Sequence, residues 1–208
     1  MDGVFMKKLL RRIVFCCFLA MFCWSGFLLA DREALNKNLI RFHVVAHSDS
    51  LADQSIKIHV RDVVLADIGE DLKRIHDIGE ARRYLQDNVP KIQRLVDQTL
   101  QELGFTGGSC VKLCKERFNV RHYDTFSLPS GVYDSLRIVI GDGIGKNWWC
   151  VSFPMLCVPA TTSGFEEAAV EAGFTENLAY SLTGHENYEI RFFILDQLGK
   201  LENYFFQE

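Results

Sequence analysis

The chain has 208 residues, 48% hydrophobic and 24% charged, with a formal net charge of -4. That is a globular composition, which excludes a disordered or fibrous chain. Four basic residues against Asp2 give the first thirty residues +3, which leaves -7 on residues 31–208. An acidic body without a Lys/Arg stripe argues against nucleic acid as a partner.

The N-terminus opens with Lys7, Lys8, Arg11 and Arg12, and residues 13–30 then run without a charge. As a helix this run spans roughly 27 Å, close to a bilayer core of about 30 Å. Basic residues ahead of an apolar run hold the N-terminus inside and send the rest across. Residues 1–30 therefore read as a signal peptide or a membrane anchor. The end of the run, Leu28-Leu29-Ala30, has Ala at the last position but Leu two before it, so both readings stay open. The roughly 175 residues that follow suffice for one domain with a real core.

Residues 31–38 read as a linker. Residues 39–45 are dense in β-branched and aromatic side chains and predict a strand. Ser50 with Asp53 three later has the form of a capping box for a helix to about Ile68. Asp77 and Glu80 repeat that logic for a short helix through Leu85. Asn88 and Pro90 then open another, which Gly104 ends. Residues 110–123 are strand-like. Residues 132–140 alternate clearly, with Leu136, Ile138 and Ile140 on one side and Tyr133, Arg137 and Val139 on the other. Residues 141–146 are turn-rich, and residues 147–153 should return antiparallel as a hairpin. Residues 161–186 show little pattern and read as an insertion with one short helix. Residues 188–206 predict an amphipathic helix with Ile190, Phe193, Ile194, Leu198, Leu201 and Phe205 on one side. The order gives one α+β domain over residues 39–208: a mainly antiparallel sheet with helices on one face, behind an N-terminal apolar helix.

Residues 141–146 (Gly-Asp-Gly-Ile-Gly-Lys) invite a phosphate-loop reading, which fails on spacing. Ile140 stands where the first Gly should be, and Asn147 follows Lys146 in place of Ser or Thr. His43, His47 and Asp49 suggest a metal or a general base. On a strand, however, His43 and His47 lie roughly 13 Å apart, too far for one ion. No zinc-ligand pair and no nucleophile elbow is present, so the sequence gives no catalytic, metal or cofactor site. Cys150 and Cys157 flank Phe153-Pro154, where a turn could bring them within disulfide range, whereas Cys110 and Cys114 on one strand are too far apart. Trp148 and Trp149 are adjacent and so point to opposite faces. One can fill the core, and the other needs a cover.

The segment Leu39-Ile40-Arg41-Phe42-His43-Val44-Val45-Ala46-His47-Ser48-Asp49-Ser50 resembles the opening of the stage II sporulation protein R family. So does the second block, Leu128-Pro129-Ser130-Gly131-Val132-Tyr133-Asp134, continuing through Gly145-Lys146-Asn147-Trp148-Trp149-Cys150 to Cys157. The chain departs from the family pattern at His47, at Met155, and at Cys110 and Cys114. The resemblance implies an exported signal of endospore-forming bacteria. Such a signal leaves the forespore for the septal intermembrane space and triggers a membrane-embedded aspartic protease, which processes a sigma-factor precursor. It implies no enzyme, no cofactor and no small-molecule substrate. The turn from Asp142 through Lys146, Asn147, Trp148 and Trp149, together with the loop at His47 and Asp49, is the expected partner face. The alternative is an exported hydrolase or cell-wall-binding enzyme using His43, His47 and Asp49.

Overall fold

The structure, a computed structural model, describes residues 3–154, 162–183 and 189–206. Helix α1 (Gly3–Asn38) runs unbroken from the apolar leader into the domain. Its leader part is long and apolar enough to cross a membrane. Residues 31–38 are thus the last turns of a helix and not a linker. Asp31, Arg32 and Leu35 are buried there, because the domain packs around this end.

Strand β1 (Ile40–Val45) starts one residue after α1 ends and is buried along its whole length. A strand with no exposed side is a central strand. Helices α2 (Leu51–Arg74) and α3 (Ile78–Glu102) follow, then β2 (Ser109–Phe118), the short pair β3 (Arg121–His122) and β4 (Ser127–Leu128), β5 (Gly131–Ile140) and β6 (Asn147–Phe153). The main sheet has the order β2-β5-β1-β6. β2 and β5 are antiparallel, β5 and β1 parallel, β1 and β6 antiparallel.

Three expectations are corrected here. β5 and β6 form no hairpin, because β1 lies between them. The connection 141–146 crosses the end of β1, donating Gly145 N–H to the Ala46 carbonyl at 3.0 Å and Ile144 N–H to that of His47 at 3.3 Å. Pro90 does not open a helix but sits inside α3. Leu85 and Ile92 are both fully buried on one stripe, two turns apart, and Pro90 lies on the exposed side where the carbonyl it leaves unbonded can meet water. α2 runs past Ile68 to Arg74 because Leu72 continues its buried stripe.

One core joins α2 and α3 to a sheet face through Val60, Val64, Ile92 and Val96 against Phe42, Leu136 and Ile138. The opposite face is not bare, as one-sided packing would have left it. The end of α1, α4 (Thr162–Glu171), α5 (Glu176–Leu182) and α6 (Glu189–Phe205) build a second core. There Leu35, Leu178 and Leu195 meet Tyr133 and Val151. The segment read as an insertion thus supplies core: Phe165, Ala169, Leu178 and Leu182 are buried at helical spacing. The α+β class stands, with two of the three main-sheet pairings antiparallel.

Candidate functional site

The site grows from the point where β1 runs out. Ser48 and Ser50 turn the chain into α2, and the cap is reciprocal: Asp53 N–H donates to Ser50 Oγ at 3.1 Å, and Ser50 Oγ–H returns to Asp53 Oδ2 at 2.9 Å. The Ser48 hydroxyl donates to the same carboxylate. These two hydroxyls hold the Asp53 carboxyl below the ordinary carboxylate range.

The glycine-rich connection lies over this turn and is tied to it mostly through backbone. Asp142 N–H donates to His47 Nδ1 at 3.0 Å, and Lys146 N–H to Asp49 Oδ1 at 2.6 Å. Lys57 Nζ reaches the Lys146 carbonyl at 2.9 Å, and its burial pushes its pKa down. The approach is too close for a side chain at Gly145, where a Cβ would lie 2.3 Å from the Ser48 carbonyl oxygen. Two segments almost a hundred residues apart therefore form one surface. His47 and Asp49 are its fasteners, while Asp142, Ile144, Lys146 and Asn147 point to solvent.

The tryptophans divide as adjacent strand residues must. Trp148 packs edge-on against Phe42, with ring centroids 5.7 Å apart, beneath the Arg61 guanidinium at 4.9 Å. Trp149 stacks on His43 at 3.7 Å and is capped by Arg121 at 4.6 Å. Each is half-buried and covered from within the chain.

His43 does not join His47 and Asp49. Its Nδ1–H donates to the buried Glu116 carboxylate at 3.2 Å, on the sheet face away from α2 and α3. Arg137 reaches the same oxygen, also at 3.2 Å. Burial would raise the Glu116 pKa, but the hydrogen bond and charge of His43, aided by Arg137, outweigh it and hold the carboxyl below its usual range. Sequence reasoning missed Glu116 and Arg121. Alternation along β2 would have put Glu116 on the inner face, but its partner depends on strand order. Among the described residues no group of three or more His, Cys, Asp or Glu side chains could hold a metal ion. Cys150 is buried on β6, and Cys157, its proposed partner, lies outside the described residues.

The family described as stage II sporulation protein R (spore_II_R) matches residues 36–163. That stretch holds all six strands, α2, α3 and both segments of the surface. A curated relative, stage II sporulation protein R of Bacillus subtilis (strain 168), is 34% identical over 160 residues, 71% of this chain and 71% of that protein. No solved structure matches significantly.

Proposed function

Because the chain belongs to the stage II sporulation protein R family, we propose that it is an exported signal of endospore formation that activates a membrane-embedded aspartic protease. The protease then cleaves a sigma-factor precursor. The chain crosses the forespore membrane through α1 and presents its domain in the septal intermembrane space. The observation that carries this reading is the family match over the whole sheet together with a leader helix that can cross a membrane.

The face read by the protease is the joined surface of the His47–Asp49 turn and residues 141–147. Its backbone is fastened, so Asp142, Ile144, Lys146 and Asn147 are offered in fixed positions, and little ordering entropy is lost on binding. Activation requires this face to bind the protease's active state more tightly than its inactive state. The leader stays attached on this reading. Leu28 is buried against the domain, and cleavage after Ala30 would remove it from that packing.

The test is co-production of the full chain, the protease and the precursor in a non-sporulating host. Precursor cleavage should require the chain. Ile144→Ser and Lys146→Ala should each reduce cleavage at least tenfold at unchanged export and unchanged melting temperature. Cleavage without the chain would sink the signalling role, and full cleavage with both variants would sink the proposed face. Trp148 is unsuitable for this test because it packs on Phe42. No geometry favours the hydrolase reading: His43 is held by Glu116, while His47 and Asp49 accept backbone N–H groups.

A further inference from the structure

Helix α6 is apolar on two sides: Leu195 and Phe192 pack into the second core, and a further stripe lies outside. Its described charged side chains face the protein or one another: Arg191 Nε donates to Asp31 at 2.9 Å, Glu202 accepts from Asn36 at 2.8 Å and from Arg32, and Lys200 pairs with Asp196 at 2.8 Å. Asp196 is buried and accepts the Ser130 N–H at 2.9 Å. Five of its apolar side chains face out: Ile190 is 69% exposed, Phe193 61%, Leu201 55%, Tyr204 81% and Phe205 70%. The spacing from 190 to 193, 201 and 204 is that of one helical stripe. Of the six residues expected on one side, Ile190, Phe193, Leu201 and Phe205 are exposed and Ile194 and Leu198 half-buried, so most of that side does not meet the domain. The outer side of a soluble helix is ordinarily polar, and an apolar stripe left outside marks a binding surface.

We propose that this stripe of α6 rests in the outer interface of the bilayer that α1 crosses. The proposal builds on the anchor reading above. The occupant follows from where α6 is fastened. Its contacts on α1 are Asp31, Arg32 and Asn36, and Asp31 directly follows the last apolar residue of the span. At about 1.5 Å per residue these contacts lie within about 9 Å of Ala30. The headgroup layer beyond the hydrocarbon core is roughly 5–8 Å deep. Ile190 adjoins Arg191, which is bonded to Asp31, and Phe27 and Leu29, in the turn of α1 just before Asp31, are 70% and 60% exposed. Because the described charges of α6 are paired, attachment rests on apolar area rather than on anionic lipid, unlike a basic interfacial helix.

The experiment uses the full chain reconstituted in phosphatidylcholine/phosphatidylglycerol vesicles, with Phe193→Trp, Tyr204→Trp and, as a control on α3, Gln98→Trp. Emission of the unsubstituted chain is subtracted, and lipids brominated in the upper acyl chain serve as quenchers. The added emission at 193 and 204 should fall by at least half, equally at low and high phosphatidylglycerol, while that at 98 should change by less than a tenth. If Trp24 is quenched but neither 193 nor 204 is, the chain is anchored and the inference is wrong. If Trp24 escapes quenching too, the anchor reading fails and the inference fails with it. Protection of 193 and 204 only in cross-linked dimers would assign the stripe to a second copy and overturn the proposal.

Discussion

The two ends of β1 are built in opposite ways. Where the strand begins, the end of α1 and α6 meet through side-chain charges: Asp31 with Arg191, Arg32 with Glu202, all drawn inward. Where it ends, the hydrogen bonds that join the two crossing segments at Ala46, His47 and Asp49 are donated by loop backbone N–H groups, Asp142 adds a side-chain approach to His47 at 3.7 Å, and the side chains of Ile144, Lys146 and Asn147 are exposed. An end held by side chains has few to offer a partner. An end held by backbone keeps its side chains available while its shape stays fixed. The contrast is a physical reason to look for recognition at the C-terminal end of β1 and for attachment at the other.

The largest expected effect tests the lower end. A Cβ at Gly199 would lie 1.6 Å from the Ser130 carbonyl oxygen, so Gly199→Ala must push α6 off the sheet. It should cost about 3 kcal/mol, measured by urea denaturation, because backbone on both sides cannot yield. Little change would mean that α6 is not seated as described. Glu116→Gln should cost about 2 kcal/mol by removing a buried carboxylate from His43 and Arg137. This carboxyl sits below its usual range when folded, so its contribution is complete above about pH 4.5 and is lost as pH falls through the lowered value. The acid limb of a stability–pH profile should therefore be shallower in Glu116→Gln than in the unsubstituted chain.

At the upper end, Ser50→Ala removes the cap of α2 and should cost about 1 kcal/mol. The smallest effect makes the sharpest contrast. Ile144 is 78% exposed, and Ile144→Ser should leave stability within about 0.5 kcal/mol. A melting shift as large as that of Ser50→Ala would show that the loop's side chains hold the surface together, erasing the difference between the two ends.

Much of this was legible in the chain. The capping box at Ser50 and Asp53, the run of β1 and the alternation of β5 are local patterns, and each formed as read. Strand order was not legible. β6 follows β5 closely in sequence, and nothing local reveals that β1 inserts between them, although its lack of an exposed face hinted at a central position. The partnership of His43 with Glu116 was hidden for the same reason, since it crosses 73 residues and needs β5 between β1 and β2. For the candidate surface, the two turn-rich segments holding His47, Asp49, Asp142, Lys146 and Asn147 do meet in the structure. Trp148 and Trp149 were not separable from them, because their covers, Arg61 and Arg121, come from α2 and β3. The polarity of α6 misled because periodicity shows that a stripe exists but not which way it faces.

The one-residue junction between α1 and β1 also sets a distance. From Ile40 to His47 under the crossing loop, β1 is a rigid spacer of up to about 23 Å, and residues 31–38 of α1 stand between it and the apolar span. The strand is central and buried, so it cannot stretch or fold back. On the proposed reading, a protease in a facing membrane would meet the loop at a separation that this spacer and the end of α1 fix, and the domain would then act as a gauge of membrane apposition.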